Sequence, residues 1–225
     1  MKLERFKKTE IIENPELLVN AGNPQGELGE ELIKNMNVNH ENLARWGVSH
    51  LNITKDSVIL DIGCGGGVNV KRFLDISKNK VYGIDYSELS VEKSREMNRK
   101  EIEKGRCEIR QESVSEMSFK NDTFDIITAF ETVYFWPDFE NDLKEVRRVL
   151  KKNGIFLICN EALLKKNDAR QNEFIELLDC KIYSESELTD YLENSGFSKV
   201  KTITKQSKDS FTGEDAEWIC AISKK

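Results

Sequence analysis

Between residues 57 and 160 short, β-branched apolar runs alternate with longer polar segments whose apolar positions recur at helical spacing. That alternation predicts βαβ units around a parallel sheet, because parallel strands need a long crossover and a helix is its usual form. SVILDI, KVYGID, RCEIRQ, FDIITAF and GIFLICN are the expected strands. Helices are expected near 68–76, 87–104 and 139–151, with right-handed crossovers. Beyond Asn160 two further helical stretches, near 170–179 and 185–194, precede GFSKVKTITK and AEWICAISK. No helix separates these last two runs, so they are expected to pair antiparallel at a sheet edge. KQSKDSFTGED, residues 205–215, reads as a mobile hairpin connection.

The first 50 or so residues look helical, broken at NPELL and again at NAGNPQGELG by Asn, Pro and Gly. Nothing there could bury a core alone, so residues 1–50 are read as a helical extension or lid on one globular unit, residues 51–225. A chain of 225 residues suits one domain with a substantial core.

Composition removes several function classes. The five cysteines, Cys64, Cys107, Cys159, Cys180 and Cys220, are odd in number and lack CxxC spacing, which argues against a disulfide framework or structural zinc. No apolar run approaches the roughly 18 residues of a membrane span, and MKLERFKKTE has no signal-peptide core, so a cytoplasmic protein with no membrane partner is expected. A net charge of -6 and a pI near 5.3 disfavour nucleic acid. Nothing in the chain sets an oligomeric state.

The chemistry concentrates in VILDIGCGGGVNVKRF, residues 58–73. A dinucleotide fingerprint starting at Gly63 would need glycine at 68, where Val68 stands, and no lysine follows a closing glycine as a phosphate loop requires. What remains is DxGxGxG: Asp61, then Gly63, Gly65 and Gly67, which let backbone approach a ligand just before a helix N-terminus. Asp61, at the carboxyl end of the first strand, would repel a pyrophosphate and attract a cationic ligand. Asp85 ends the second strand about twenty residues after the glycines, where a carboxylate can accept from both ribose hydroxyls. The two acids jointly favour S-adenosyl-L-methionine, which carries a sulfonium, an ammonium and no phosphate. Cys64 reads as a small packing residue.

In these stretches the chain resembles the class I S-adenosylmethionine-dependent methyltransferases of the small-molecule type, over roughly residues 40–223. DIGCGGG resembles the family's first motif and GIDYS its second, which implies Asp85 as the ribose acid and Tyr86 against the adenine face. ESVSEMSFKNDTFDIITAFETVYFWPD is similar to the third and fourth motifs, bringing Ser113, Val114, Ala129 and Phe130 to the cofactor. LKEVRRVLKKNGIFLI and SESELTDYLENSGFSKV resemble the elements that follow. Ser113-Val114 stands where many members have Asp-Ala, so a hydroxyl or backbone would hold the adenine amino group. Phe135 replaces a histidine common after the fourth strand. The implied fold is a doubly wound, Rossmann-like sheet of seven strands, mostly parallel with an antiparallel edge strand. The implied activity is methyl transfer to a small-molecule acceptor.

FETVYFWPD, residues 130–138, follows the fourth strand at the carboxyl edge and is the expected substrate wall, with Tyr134 and Trp136 as pocket candidates. Tyr134, Phe135 and Trp136 also suit a core. Glu131 could act as a base or orient a substrate, or simply hold structure. His40 and His50 share one face of a helix expected over NVNHENLARWGVSHLNI, and ten residues at 1.5 Å rise set them about 15 Å apart. His40 is the one nearer the glycine edge. His40, Glu131 and Tyr134 are thus the catalytic candidates, and no metal is expected. A non-catalytic nucleoside-binding or regulatory module and an NAD-dependent oxidoreductase stay open as rivals.

Overall fold

All four residues of β1 (Ile59–Ile62) are buried, as a central parallel strand must be when helices cover both of its faces. The computed structural model describes residues 20–165, 168–210 and 213–225, with backbone alone at 169 and 170. The NPELL break lies outside the described residues. Helices α1 (Gly26–Asn39) and α2 (Glu41–Val48) lead into β1, and α3 (Val68–Ile76), β2 (Val81–Asp85), α4 (Glu88–Glu103) and β3 (Cys107–Gln111) follow. After them come β4 (Phe124–Phe130), a short 3-10 turn at Val133–Phe135, α5 (Phe139–Val149) and β5 (Leu150–Asn160). The chain closes with α6 (Ala169–Leu178), α7 (Glu185–Asn194), β6 (Ser198–Lys208) and β7 (Asp215–Lys224).

These strands form one seven-stranded sheet in the order β3-β2-β1-β4-β5-β7-β6. The first five are parallel, and β7 runs antiparallel to both β5 and β6. The order reverses at β1, between β2 and β4, which opens a crevice at the carboxyl ends of these strands. One face packs α5 and α7 through Leu143, Val146 and Leu188 onto Phe124 and Phe156. The other face packs α2, α3 and α4 through Leu43, Phe73 and Val91 onto Ile59 and Leu157. Each fully buried Leu or Phe contributes on the order of 1.5–3 kcal/mol.

Helix ends follow sequence chemistry. Ser87 accepts from the Ser90 N–H and starts α4, and Ser184 with Glu187 forms a reciprocal capping box at α7. Three expectations need correction. β5 begins at Leu150, ahead of the expected GIFLICN, and the register with β4 shifts between Phe124 and Ile126. Within the expected hairpin connection 205–215, residues through Lys208 extend β6. The single helix over NVNHENLARWGVSHLNI is two, because His40 leaves helical geometry at φ -80° and ψ 6°. The break lies ahead of the stretch from His40 to His50, which runs along α2 alone. Among the described residues no helix is long and apolar enough to cross a membrane.

Candidate active site

Past Ile62 the chain turns through the glycines into α3, and two acids organise that turn. Asp85 accepts from the Gly65 N–H through Oδ2 at 2.9 Å and from the Ser87 N–H through Oδ1 at 3.0 Å. The acid ending β2 thus holds the glycine turn and the start of α4 together. Burial pushes its carboxyl above the usual range, against the pull of those N–H groups. Asp61 is 2% exposed and accepts from Thr128 Oγ1 at 2.7 Å. Burial is the main cause that lifts its pKa to about 7, and the Thr128 hydroxyl opposes the rise.

Glycine matters for different reasons at two neighbouring positions. Gly63 has φ +66°, and a Cβ there would overlap the Thr132 side chain. Gly65 has φ +50°, but a Cβ there would meet nothing within 4 Å. Gly65 therefore faces open space on the wall of a cavity of about 1290 Å³. Gly63, Asp85, Tyr86, Ser113 and Val114 line the same end. Tyr86 is 49% exposed, so its ring is available to a flat ligand. Asp61, Gly67 and Ala129 do not reach the wall: Asp61 is held by Thr128, the Gly67 carbonyl accepts from Asn98 Nδ2, and Ala129 is buried within β4.

This end has the shape and donors for a nucleoside carrying positive charge. An exposed ring, a buried carboxyl at the end of β2 and an open cradle at Gly65 fit ribose and base, and Asp61 places a second buried carboxyl behind the turn.

From there the cavity runs along Phe130, Glu131, Tyr134, Phe135 and Trp136 toward Leu163, Phe174 and Leu178. Residues before β1 cover it: Gly22, Leu32, Met36 and His40 line it too. Pro24 accepts from the Ser87 hydroxyl at 2.9 Å, which ties this segment to α4. Trp136 divides its ring between roles, since it lines the cavity and also stacks on Phe156 with ring centroids 6.3 Å apart.

Along this wall the structure assembles a polar group. Glu131, just past β4, has φ +55°; its Oε1 accepts from Tyr134 Oη at 3.2 Å and from the Glu161 N–H. The Tyr134 hydroxyl in turn accepts from the Ala162 N–H at 3.1 Å. Glu161, just past β5, accepts from the Ser210 N–H and hydroxyl. His40, Glu131 and Glu161 each offer a ligand atom, and these atoms lie within 4.8 Å of one another. Burial, then the neighbouring Glu161, pushes the Glu131 carboxyl well up; burial lifts Glu161 to about 7; and burial lowers His40 to about 4 against the pull of Asp209. Burial likewise raises the Tyr134 hydroxyl and the Cys64 thiol well above their ordinary ranges, so Cys64 is a packing residue. His50 lies elsewhere, edge-on to Trp46 at 5.3 Å.

Sequence reading missed Glu161, Asp209 and Ser210. Glu161 carried a usable signal, because it directly follows a strand at the carboxyl edge. The other two sit in a connection whose residues reveal nothing until the sheet brings them across.

Comparison with known proteins shows the family and the fold. A family model described as a methyltransferase domain matches residues 53–210. The sterol 24-C-methyltransferase of Eremothecium gossypii is 28% identical over 153 residues, covering 64% of this chain and 41% of that protein. The chain spans 29% to 41% of the length of the first curated relatives it matches. Among solved structures, Haemonchus contortus phosphoethanolamine N-methyltransferase 2 with phosphomonomethylethanolamine and S-adenosylhomocysteine superposes with a TM-score of 0.76 at 13% identity, covering 92% of this chain and 59% of that one. The geranyl diphosphate C-methyltransferase of Streptomyces coelicolor gives a TM-score of 0.71 at 13% identity, covering 90% and 86%.

Proposed function

Because the chain belongs to the family of methyltransferase domains, the class I S-adenosylmethionine-dependent fold, we propose that it methylates a small, largely apolar acceptor bearing a polar group. One observation carries this reading: a single cavity joins the Gly65 and Asp85 end to an aromatic wall that ends on His40, Glu131 and Glu161. S-adenosylmethionine supplies a methyl carbon made electrophilic by its sulfonium. Asp85 accepts from the ribose hydroxyls in this reading, and Tyr86 covers the base. Phe130, Phe135, Leu163 and Phe174 remove water from the acceptor and align it, which is the main demand of an in-line displacement. The acceptor's polar group meets Glu131 and Tyr134. Burial and the neighbouring Glu161 raise the Glu131 carboxyl and so favour its protonated form. The sterol substrate in the name of the Eremothecium relative supports an apolar acceptor.

The test is transfer of labelled methyl from S-adenosylmethionine to a panel of acceptors: isoprenoid and sterol alcohols, phenols, and polar amines. Label should move to apolar acceptors ahead of amines. Calorimetric binding of S-adenosylhomocysteine with no transfer to any acceptor would favour a non-catalytic binding module. Absence of that binding would overturn the whole assignment.

A further inference from the structure

We propose that His40, Glu131 and Glu161 form a binding site for one divalent first-row transition ion at the acceptor end of the cavity. The inference builds on the reading of that end as the acceptor site.

The donors come from three elements far apart in the chain. His40 is the junction between α1 and α2, and Glu131 and Glu161 each follow directly after neighbouring parallel strands, β4 and β5. The Glu131 N–H continues that ladder by donating to the Cys159 carbonyl at 3.1 Å, so both glutamates emerge side by side at the carboxyl edge. Their ligand atoms and one imidazole nitrogen all lie within 4.8 Å of one another. Closing by about 1 Å, within the reach of side-chain rotation, would set all three roughly 2.1 Å from one ion.

Charge gives the arrangement its sense. Glu161 is 4% exposed, and among the described residues no lysine or arginine is within salt-bridge distance of either glutamate. Glu161 is buried and Glu131 partly buried, and an ion of charge +2 would balance the pair with both carboxyls ionised. The Ser210 N–H and hydroxyl fix the Glu161 carboxylate, and Tyr134 with the Glu161 N–H fixes Glu131 Oε1. Such partners orient ligating groups. One nitrogen with two carboxylate oxygens suits zinc, manganese, iron or cobalt, whereas magnesium favours all-oxygen surroundings. Three protein ligands leave coordination positions open, and all three residues line the cavity, so those positions face the acceptor. The acceptor class that fits is one with a hydroxyl, enol or carboxylate oxygen able to complete the ion's coordination.

The experiment uses full-length protein stripped with chelator and titrated with Mn²⁺ and Zn²⁺ by calorimetry, with Mn²⁺ binding also read by electron paramagnetic resonance. The expected result is saturable binding of one ion per chain, weakened by at least roughly tenfold in Glu161→Gln and in His40→Ala. The exposed Glu92→Gln serves as the control and should bind as wild type. S-adenosylhomocysteine affinity, measured on every variant, reports that each is folded. Saturable binding that is unchanged by either ligand substitution would overturn the site, as would no saturable binding by protein that still takes S-adenosylhomocysteine. If S-adenosylhomocysteine itself fails to bind wild type, the methyltransferase reading falls, and the ion titration still decides the metal site separately.

Discussion

The two ends of the cavity are assembled over different distances along the chain. The end proposed for the cofactor is local: Asp61, the glycines and Asp85 lie on one strand-turn-helix-strand unit, and a hydrogen bond from Gly65 to Asp85 closes it. The end proposed for the acceptor is global. It draws His40 from ahead of the sheet, Glu131 and Glu161 from two strand ends, and Asp209 and Ser210 from the connection between β6 and β7. A local unit must keep its motif to keep its shape, whereas a global one can exchange each contributor separately. The local end is therefore the one whose pattern can be read along the sequence, and the global end is the one that only the fold assembles.

The sharpest way to break the local end is at the glycine turn. Gly65→Val places a branched side chain in the open cradle at φ +50°, so strain of roughly 1–3 kcal/mol is expected from the backbone. Because a Cβ there meets no protein atom within 4 Å, the fold should survive. Cofactor affinity should fall by about a hundredfold or more, equivalent to roughly 2.7 kcal/mol. Calorimetry with S-adenosylhomocysteine, alongside circular dichroism, checks both halves; normal affinity in a folded variant would make the turn purely structural.

Asp85→Ala should have a smaller effect on binding and a comparable one on the fold. Loss of hydrogen bonds to ribose should weaken S-adenosylhomocysteine by at least roughly tenfold. The same carboxylate satisfies the Gly65 and Ser87 N–H groups, so stability should drop by about 1–3 kcal/mol in urea unfolding. If stability falls while affinity holds, Asp85 is a brace for the turn and does not touch the ligand.

The same contrast explains what could be read from the sequence. Element order, the antiparallel last pair and the glycine turn rest on local periodicity and spacing, and these survive into the fold. The end of one helix at His40 was hidden, because ENLARWGV continues a helical pattern and only the backbone geometry of His40 interrupts it. The early start of β5 was hidden too: Leu150 and Lys151 read as the end of the preceding helix, yet Leu150 is fully buried and pairs with Phe124. Glu161 could have been found from its place after a strand, but its partnership with Glu131 depends on β4 and β5 being neighbours. Asp209 and Ser210 depend on the β6–β7 hairpin reaching back across the sheet edge, which no spacing along the chain encodes.

The subtlest test asks whether Asp61, buried behind the turn, belongs to the cofactor end at all. Its pKa stands at about 7 because burial disfavours the charged form. A cation bound near it would favour that form, lower the pKa and expel a proton. Because the ligand-free carboxyl is partly protonated near neutrality, binding of S-adenosylmethionine should release about half a proton at pH 7. Affinity should consequently rise with pH, by roughly threefold to tenfold between pH 6 and 8, and flatten above that range. The folding contribution has the opposite sign: a raised carboxyl pKa stabilises the ligand-free fold most below its ordinary value, and that stability is lost as pH climbs toward about 7. Calorimetry in two buffers of different ionisation enthalpy measures the released proton directly. Asp61→Asn should release none, and should bind S-adenosylmethionine with little dependence on pH across the same window. An equal release from wild type and Asp61→Asn would show that Asp61 only braces Thr128, leaving the charge selectivity of the site to be found elsewhere on the glycine turn.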